Sequence, residues 1–462
     1  MSTKLFLIGC LSVWTLGVAA QTSRPGVLVL GNNEAAAAAA IQSAVSGVKT
    51  TLLLPSGNFE VAPLRGGLAS GIQAEFITRL RAASEKAPAK KGDTSDSTRP
   101  AANHAVPSFD KQTANAIWKQ WVDTLSNLTV IRGNPYVKAG RAGKNWVFKL
   151  RAGQTLRPEV LIVTGDTMVL HQLNIRVPVR PADSLAMPLD YGQTLYRTSV
   201  AAGMPLKEGS NATPNDSPRP NDSPRPNDSP RPNADDQSAS PTQSPTQNLA
   251  KSPDNATFFS LYNMLVPQEE NLIWLAPEAD MPQGQAAGAA AAWAGFYHKN
   301  TSESNLKAIQ GELLNYKQAL MPYADIALND PNWKAIQFVG LTGTLQARLN
   351  GGTARFMPDQ EVSLAEIAEP LKAFYYKAQL WFDDHQEQKL SLAMAIDLVS
   401  YVGDKSAEST TRQLEKKWQS SYKLPEKFDL KKILNRREFA LILQDYMPPF
   451  NVNIDQKGKV LR

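Results

Sequence analysis

Cysteine is almost missing from this chain: Cys10 is the only one in 462 residues. A lone cysteine forms no intrachain disulfide and cannot build a thiolate metal centre. Histidine is nearly as scarce. The chain has His104, His171, His298 and His385, and none falls in an H-x-x-H spacing. No metal site is expected on these grounds. G-x-S-x-G and G-x-x-x-x-G-K-[ST] are absent as well, so no catalytic residue can be assigned from a motif. The apolar runs are too short to cross a bilayer as a helix, and no transmembrane segment is expected in the mature chain. The net charge of +6 is modest, and lysines and arginines are scattered apart from Lys86, Lys90 and Lys91. A basic stripe with interleaved aromatics is lacking, so no nucleic-acid partner is expected. Attraction to anionic envelope polymers fits this charge balance.

What is present begins with an export signal. Lys4 supplies a positive start, Leu5 to Val18 an apolar run, and Val18-Ala19-Ala20 a small-residue cleavage site. Cleavage there leaves a mature chain without cysteine. The expected location is therefore the periplasm or cell envelope. Leu7-Ile8-Gly9-Cys10 resembles a lipoprotein box and gives the alternative of a lipid anchor at Cys10.

After the signal comes the outline of a dinucleotide-binding βαβ unit. Val27 to Leu30 reads as a buried strand, Glu34 to Ser46 as a small-residue helix, and Val48 to Leu54 as a second strand. The connecting turn of such a unit carries G-x-G-x-x-G/A, because bare backbone must approach a pyrophosphate at the helix N-terminus. Here those positions are Gly31, Asn33 and Ala36. The middle glycine is replaced. The acid that holds a ribose hydroxyl after the second strand is replaced by Pro55. Further elements follow: a helix at Ile72 to Ala83, a polar stretch at 86–108, a helix at Asn115 to Leu125, and strands at Leu128 to Ile131, Trp146 to Leu150 and Val160 to Val163.

Residues 205–256 read as a disordered linker. Asn-Asp-Ser-Pro-Arg-Pro occurs three times in tandem from Asn215 to Pro232, and proline removes donors and fixes φ. Ordered sequence resumes with a strand at Asn271 to Leu275 and a small-residue helix at Met281 to Ala294. From Asn305 onward the pattern is mostly helical.

The first part resembles the exported FAD-dependent oxidoreductases of bacteria. The βαβ unit, Leu161-Ile-Val-Thr-Gly-Asp166, Leu265 to Leu275 and Gln283 to Ala292 carry the resemblance, in the family's order. It implies an α/β fold: a three-layer, Rossmann-like FAD/NAD(P)-binding domain interrupted by the linker and followed by a helical C-terminal domain. The expected division is 1–20 signal, 24–204 and 257–300 flavoprotein-like domain, 205–256 linker, and 305–462 helical domain. The resemblance also implies a cofactor site for FAD. Gly31, Asn33 and Ala36 would face the pyrophosphate, Gly165 and Asp166 the ribityl and phosphate region, and Gln283, Gly284 and Gln285 the reduced flavin ring. Asn33 and Pro55 depart from the pattern, so FAD binding is expected to be weak or lost. The short span from Asp166 to Asn271 leaves little of the family's substrate domain.

The C-terminal part resembles S-layer homology modules. Tyr323-Ala-Asp-Ile326, Asn332-Trp-Lys-Ala-Ile336, Arg355-Phe-Met-Pro-Asp359 and Val362 to Ala368 make one copy, and Leu434 to Leu443 a degenerate second. This resemblance implies a cell-wall polymer as ligand. Two functions follow as expectations. One is an exported FAD-dependent oxidoreductase of unknown small-molecule substrate, its activity reduced or lost. The other is a non-catalytic envelope protein on a decayed flavoprotein fold.

Overall fold

The structure, a computed structural model, describes residues 22–62, 68–86, 109–133, 136–165, 167–177, 186–203, 256–350 and 352–461. The signal segment, most of the polar stretch, Asp166 and the tandem repeat lie outside them.

The apolar run after Pro25 becomes β2 (Val27–Leu30), preceded by the short β1 (Thr22–Ser23) and followed by α1 (Glu34–Val45) and β3 (Thr50–Leu54). Then come α2 (Gly71–Lys86), α3 (Lys111–Asp123) and β4 (Leu128–Arg132). A meander follows: β5 (Tyr136–Ala142), β6 (Asn145–Leu150) and β7 (Thr155–Leu156), leading to β8 (Val160–Thr164) and α4 (Thr167–Gln172). Next are β9 (Ala186–Pro188), β10 (Ser199–Gly203), β11 (Thr257–Ser260), β12 (Leu272–Leu275), α5 (Met281–Tyr297) and α6 (Leu306–Asn315).

Five strands form one sheet in the order β4-β3-β2-β8-β12, all parallel. Numbered along the chain, that order is 3-2-1-4-5, the doubly wound Rossmann arrangement. Every residue of β2, β3, β8 and β12 is buried, as strands covered on both faces must be. Helices α1 and α5 make one covering layer. The β1-β7-β6-β5 sheet makes the other and joins the parallel sheet through Trp146, whose Nε1 donates to the Asn271 carbonyl at 2.8 Å. The fold class expected from the sequence is the one observed.

The helices α1 and α5 are small-residue helices for a steric reason. A Cβ on Gly284 would lie 2.2 Å from the Ala35 carbonyl oxygen, and one on Gly288 would lie 2.4 Å from that of Ala39. At these two points the helices meet backbone to backbone, and no side chain has room there.

β10 and β11 are antiparallel neighbours, with Gly203 opposite Thr257. The chain therefore leaves and re-enters the fold at one place. This sheet also meets the C-terminal part: Ser199 Oγ donates to Leu320 O at 2.6 Å, and the buried Arg197 donates to Thr342 O at 3.1 Å and Gly458 O at 3.2 Å.

The C-terminal part contains α7 (Trp333–Thr342), β13 (Arg348–Asn350), β14 (Thr353–Arg355), α8 (Leu364–Phe374), α9 (Tyr376–Asp384), α10 (Leu392–Val402), α11 (Ala407–Ser420) and α12 (Arg436–Tyr446). These are three helix pairs, α7/α8, α9/α10 and α11/α12. The first helix of each carries a buried tryptophan: Trp333, Trp381 and Trp418. The segments just before the second helices join in a closed ring. Val362 N donates to Leu434 O, Leu434 N to Leu390 O, and Leu390 N to Val362 O, at 2.9, 2.9 and 3.0 Å. A second ring runs the other way through Leu364 N to Gln388 O, Leu392 N to Lys432 O, and Arg436 N to Gln360 O. The sequence leads one to expect two repeated units; among the described residues the structure has three helix pairs joined in this ring. The middle copy escapes notice because Leu390-Ser-Leu-Ala393 keeps the cap but lacks the Arg-Glu-Phe signature of the last.

Candidate functional site

In a doubly wound sheet the ligand crevice lies where the strand order reverses, beyond the carboxyl ends of the strands. Here that point is between β2 and β8. Gly31 follows β2 and is buried there. A Cβ on it would fall 1.9 Å from Thr164 Oγ1 and 2.8 Å from Thr164 O. Glycine at 31 is thus required by the neighbouring strand itself. Gly165, after β8, has φ +69°, a conformation that favours glycine.

Asn33 is the N-cap of α1. Its backbone is extended (φ −80°, ψ 172°), so the middle position of the fingerprint needs no left-handed residue here. The side chain does the work of three contacts. Its Oδ1 accepts from the Ala36 amide at 3.0 Å and from Thr164 Oγ1 at 2.9 Å, and its Nδ2 donates to the Pro277 carbonyl at 3.2 Å. One amide group therefore caps the helix and bridges β2, β8 and the segment after β12.

That geometry conflicts with a flavin's pyrophosphate. Phosphate at a helix N-terminus is held by amides with no other acceptor. The Ala36 amide is already taken by Asn33, and the crevice is crossed by the same side chain. One acid adds to the mismatch. Glu34 is buried in the first turn of α1. Glu60 pairs through its backbone with the turn, its amide donating to Asn32 O at 2.7 Å. Glu34 places negative charge near the end of the helix that would attract a phosphate. Pro55, at the end of β3, has no group for a ribose hydroxyl. The residues present do not fit the dinucleotide.

Of the residues singled out in the sequence, Gly31, Asn33, Ala36 and Gly165 come together around this crevice. Ala36 is fully buried beneath it, and a Cβ on Gly31 would lie 3.2 Å from Ala36 Cβ. Asp166 lies outside the described residues. Gln283 is half-buried at the start of α5, where its amide donates to the capping Asp280 at 3.0 Å. Gly284 and Gln285 turn away into the helix seam. Gln285 is wholly buried; its Oε1 accepts from Ile72 N at 2.9 Å and its Nε2 donates to Gln42 Oε1 at 2.9 Å. Sequence reasoning missed Thr164, Pro277 and Glu60. Thr164 had a signal, its place directly before Gly165. Glu60 and Pro277 had none, because a return of the chain brings each to the turn.

A second candidate surface is the ringed triplet. Each second helix has its own cap: Ser363 accepts from Glu366 N, Ser391 from Met394 N, and Asn435 from Glu438 N. The third copy differs at the residue after the cap. Where the others have Leu364 and Leu392, it has Arg436, buried, donating to Phe356 O and Gln346 O at 2.7 Å each and paired with Glu366. Arg437 reaches Asp330 at 2.7 Å. Among the described residues no cluster of histidine, cysteine and acids has the makings of a metal site, and no helix is long and apolar enough to cross a membrane.

No family model matches this chain, and no curated protein matches it. Solved structures do. GidA of Aquifex aeolicus is similar at 19% identity and TM-score 0.22, over 32% of this chain and 26% of that one. The anhydrotetracycline hydroxylase OxyS of Streptomyces rimosus is similar at 16% identity and TM-score 0.24, over 34% and 35%. The p-nitrophenol 4-monooxygenase PnpA of Pseudomonas putida is similar at 14% identity and TM-score 0.22, over 33% and 42%. This chain thus spans well under half of the length of each of these three relatives in structure.

Proposed function

We propose that this chain is an exported, non-catalytic envelope protein in which a flavoprotein-type fold has become a structural or binding domain. The observation that carries the reading is Asn33, whose side chain fills the phosphate end of α1 and ties it to β8 and Pro277. Loss of the ribose acid at Pro55 removes a charge-assisted hydrogen bond of about 1.5–3 kcal/mol. That alone weakens affinity roughly ten- to a hundredfold. Export rests on Lys4, the apolar run and Val18-Ala19-Ala20, with anchorage at Cys10 as its variant. The three capped helix pairs extend the resemblance to S-layer modules, whose ligand would be a cell-wall polymer.

Titration of the full chain with FAD, read by flavin fluorescence, tests the closed site. No saturable quenching is expected. Asn33→Gly combined with Pro55→Glu should create measurable binding. Purification of the unaltered chain with stoichiometric FAD would overturn the proposal. N-terminal sequencing from an envelope fraction tests export, with a start near Gln21 expected. Cosedimentation of the full chain with cell-wall sacculi tests the polymer ligand.

The second reading is an exported FAD-dependent oxidoreductase of reduced activity. Gly31, Ala36 and the left-handed Gly165 favour it, since they retain the shape of the turn. Copurified flavin is the outcome that separates the two.

A further inference from the structure

The β1-β7-β6-β5 sheet holds the chain's surplus of positive charge. From Gly133 to Pro158 there are six cations, Lys138, Arg141, Lys144, Lys149, Arg151 and Arg157, and no acid. The net charge of the whole chain is also +6, so the remaining residues balance. Strand pairing sorts these cations by face. Trp146, Phe148, Leu150 and Leu156 are buried on the side that packs on the parallel sheet. Arg141 is opposite Trp146 and belongs to that side. It has an acid, Glu269 at 3.3 Å, and its guanidinium lies 4.0 Å from the centre of the Trp146 ring.

The other face is open. Lys138 stands directly opposite Lys149, and Thr155 is the neighbour of Lys149 on the far side. Two residues beyond Thr155, Arg157 continues this face; its amide donates to Ser23 O at 2.9 Å, which sets it beside Arg24. Lys138, Lys149, Arg157 and Arg24 are all exposed, and among the described residues none of them pairs with a carboxylate. Like charges directly opposite one another on a sheet cost stability. Here one such pair is flanked by two arginines, and a partner carrying negative charge would relieve the cost.

The face offers no ring for a base to stack on. Trp146 and Phe148 are buried on the opposite side, and Tyr136 meets Phe148 edge to face at 5.5 Å. What it offers instead is Val137, 58% exposed beside Lys138. A headgroup region takes up such an apolar side chain, whereas a soluble polyanion does not. We propose that the open face of this sheet binds the surface of a bilayer rich in anionic lipid, its cations meeting headgroup phosphates. The edge strand β1 begins four residues after the apolar run that ends at Val18. On the export reading that run enters a bilayer, which delivers this sheet to the lipid surface. Only this last point rests on that reading; the charge of the face does not. Failure of the proposal leaves the Asn33 crevice and the helix triplet untouched.

The full chain is cosedimented with vesicles of phosphatidylcholine alone, or of phosphatidylcholine and phosphatidylglycerol in equal parts. Neutral vesicles report what the apolar run contributes. Partitioning into the anionic vesicles should be at least about tenfold stronger and should fall steeply as salt screens the charges. One basic residue near such a surface is worth about fivefold. Lys138→Gln with Lys149→Gln and Arg157→Gln should therefore cut anionic partitioning about a hundredfold and leave the neutral value alone. Lys416→Gln with Lys423→Gln and Lys427→Gln takes the same charge from the C-terminal part and should cost less than about threefold. Lys138→Glu sets opposite charges across the strands, so it should weaken binding while raising the thermal midpoint; loss of binding through unfolding would lower that midpoint. Equal partitioning into both vesicles, or an equal loss in the C-terminal triple variant, would overturn the proposal. Tighter binding to duplex DNA than to the anionic vesicles, at matched phosphate concentration, would overturn the assignment to lipid.

Discussion

Two regions of this chain solve the same problem of burying helices by opposite means. Along the α1–α5 seam the backbones touch at Gly284 and Gly288, and the close approach depends on side chains that are not there. In the C-terminal triplet the helices are held at their starts, by caps and by rings of backbone hydrogen bonds, while large side chains fill the space between. The first design has no tolerance for added volume and little to lose by truncation. The second depends on large residues and on polar caps. The contrast teaches that burial alone does not say which substitutions a region resists.

The largest effect expected is in the triplet. Trp333 is almost fully buried, with Lys317 Nζ 5.0 Å from its ring centre. Trp333→Ala should cost about 3–5 kcal/mol in denaturant unfolding of the full chain. A loss under about 1 kcal/mol would show that the triplet does not rely on its large residues. In the seam the informative change is an addition. Gly284→Val drives a side chain into the Ala35 backbone and should cost about 2–3 kcal/mol. If it is neutral, the helices are free to part, and the contrast fails.

Caps come next. Asn435 both accepts from Glu438 N at 2.9 Å and donates its own amide to Glu438 Oε2 at 3.0 Å. Asn435→Ala should cost about 1–2 kcal/mol and Ser391→Ala about 1 kcal/mol or less, measured as shifts in unfolding midpoint. The reverse order would show that the ring, rather than the cap, positions these helices. The smallest effect concerns the tandem repeat. Because Gly203 already lies opposite Thr257, deleting Asn215 to Pro232 only shortens a connection between neighbouring strands. Closure entropy then changes by well under 1 kcal/mol, and the thermal midpoint should hardly move. A drop of several degrees would mean that the repeat contributes contacts of its own.

The parallel sheet was legible because its signals are local. A four-residue apolar run, a small-residue helix and a second apolar run reveal β2, α1 and β3 without help from the rest of the chain. Helix α5 was legible for the same reason, although its alanines speak of close packing rather than of a flavin. The crevice was legible only in part. The loss of the middle glycine is visible at Asn33, but its bonds to Thr164 and Pro277 depend on strands far away in sequence. Gln285 was misread for a related cause: polar residues at a helix start suggest a ligand, and here its partners are Ile72 N and Gln42. The middle helix pair of the triplet was hard to see because it keeps the tryptophan and the cap but lacks the Arg-Glu-Phe signature of the last, and the ring of backbone bonds that joins the three leaves no mark of its own on the side chains.

That closed pattern has a further consequence. An open stack of repeats can lengthen, since its last member always offers a free edge to the next. A ring in which each member gives to one neighbour and takes from the other has no free edge. The number of copies is then set by closure and cannot grow by simple duplication. The individual sequences, by contrast, are free to drift wherever their amides and carbonyls stay in place. Val-Ser-Leu, Leu-Ser-Leu and Leu-Asn-Arg occupy equivalent places at 362–364, 390–392 and 434–436. A shape fixed by main-chain geometry gives each copy licence to acquire a different surface.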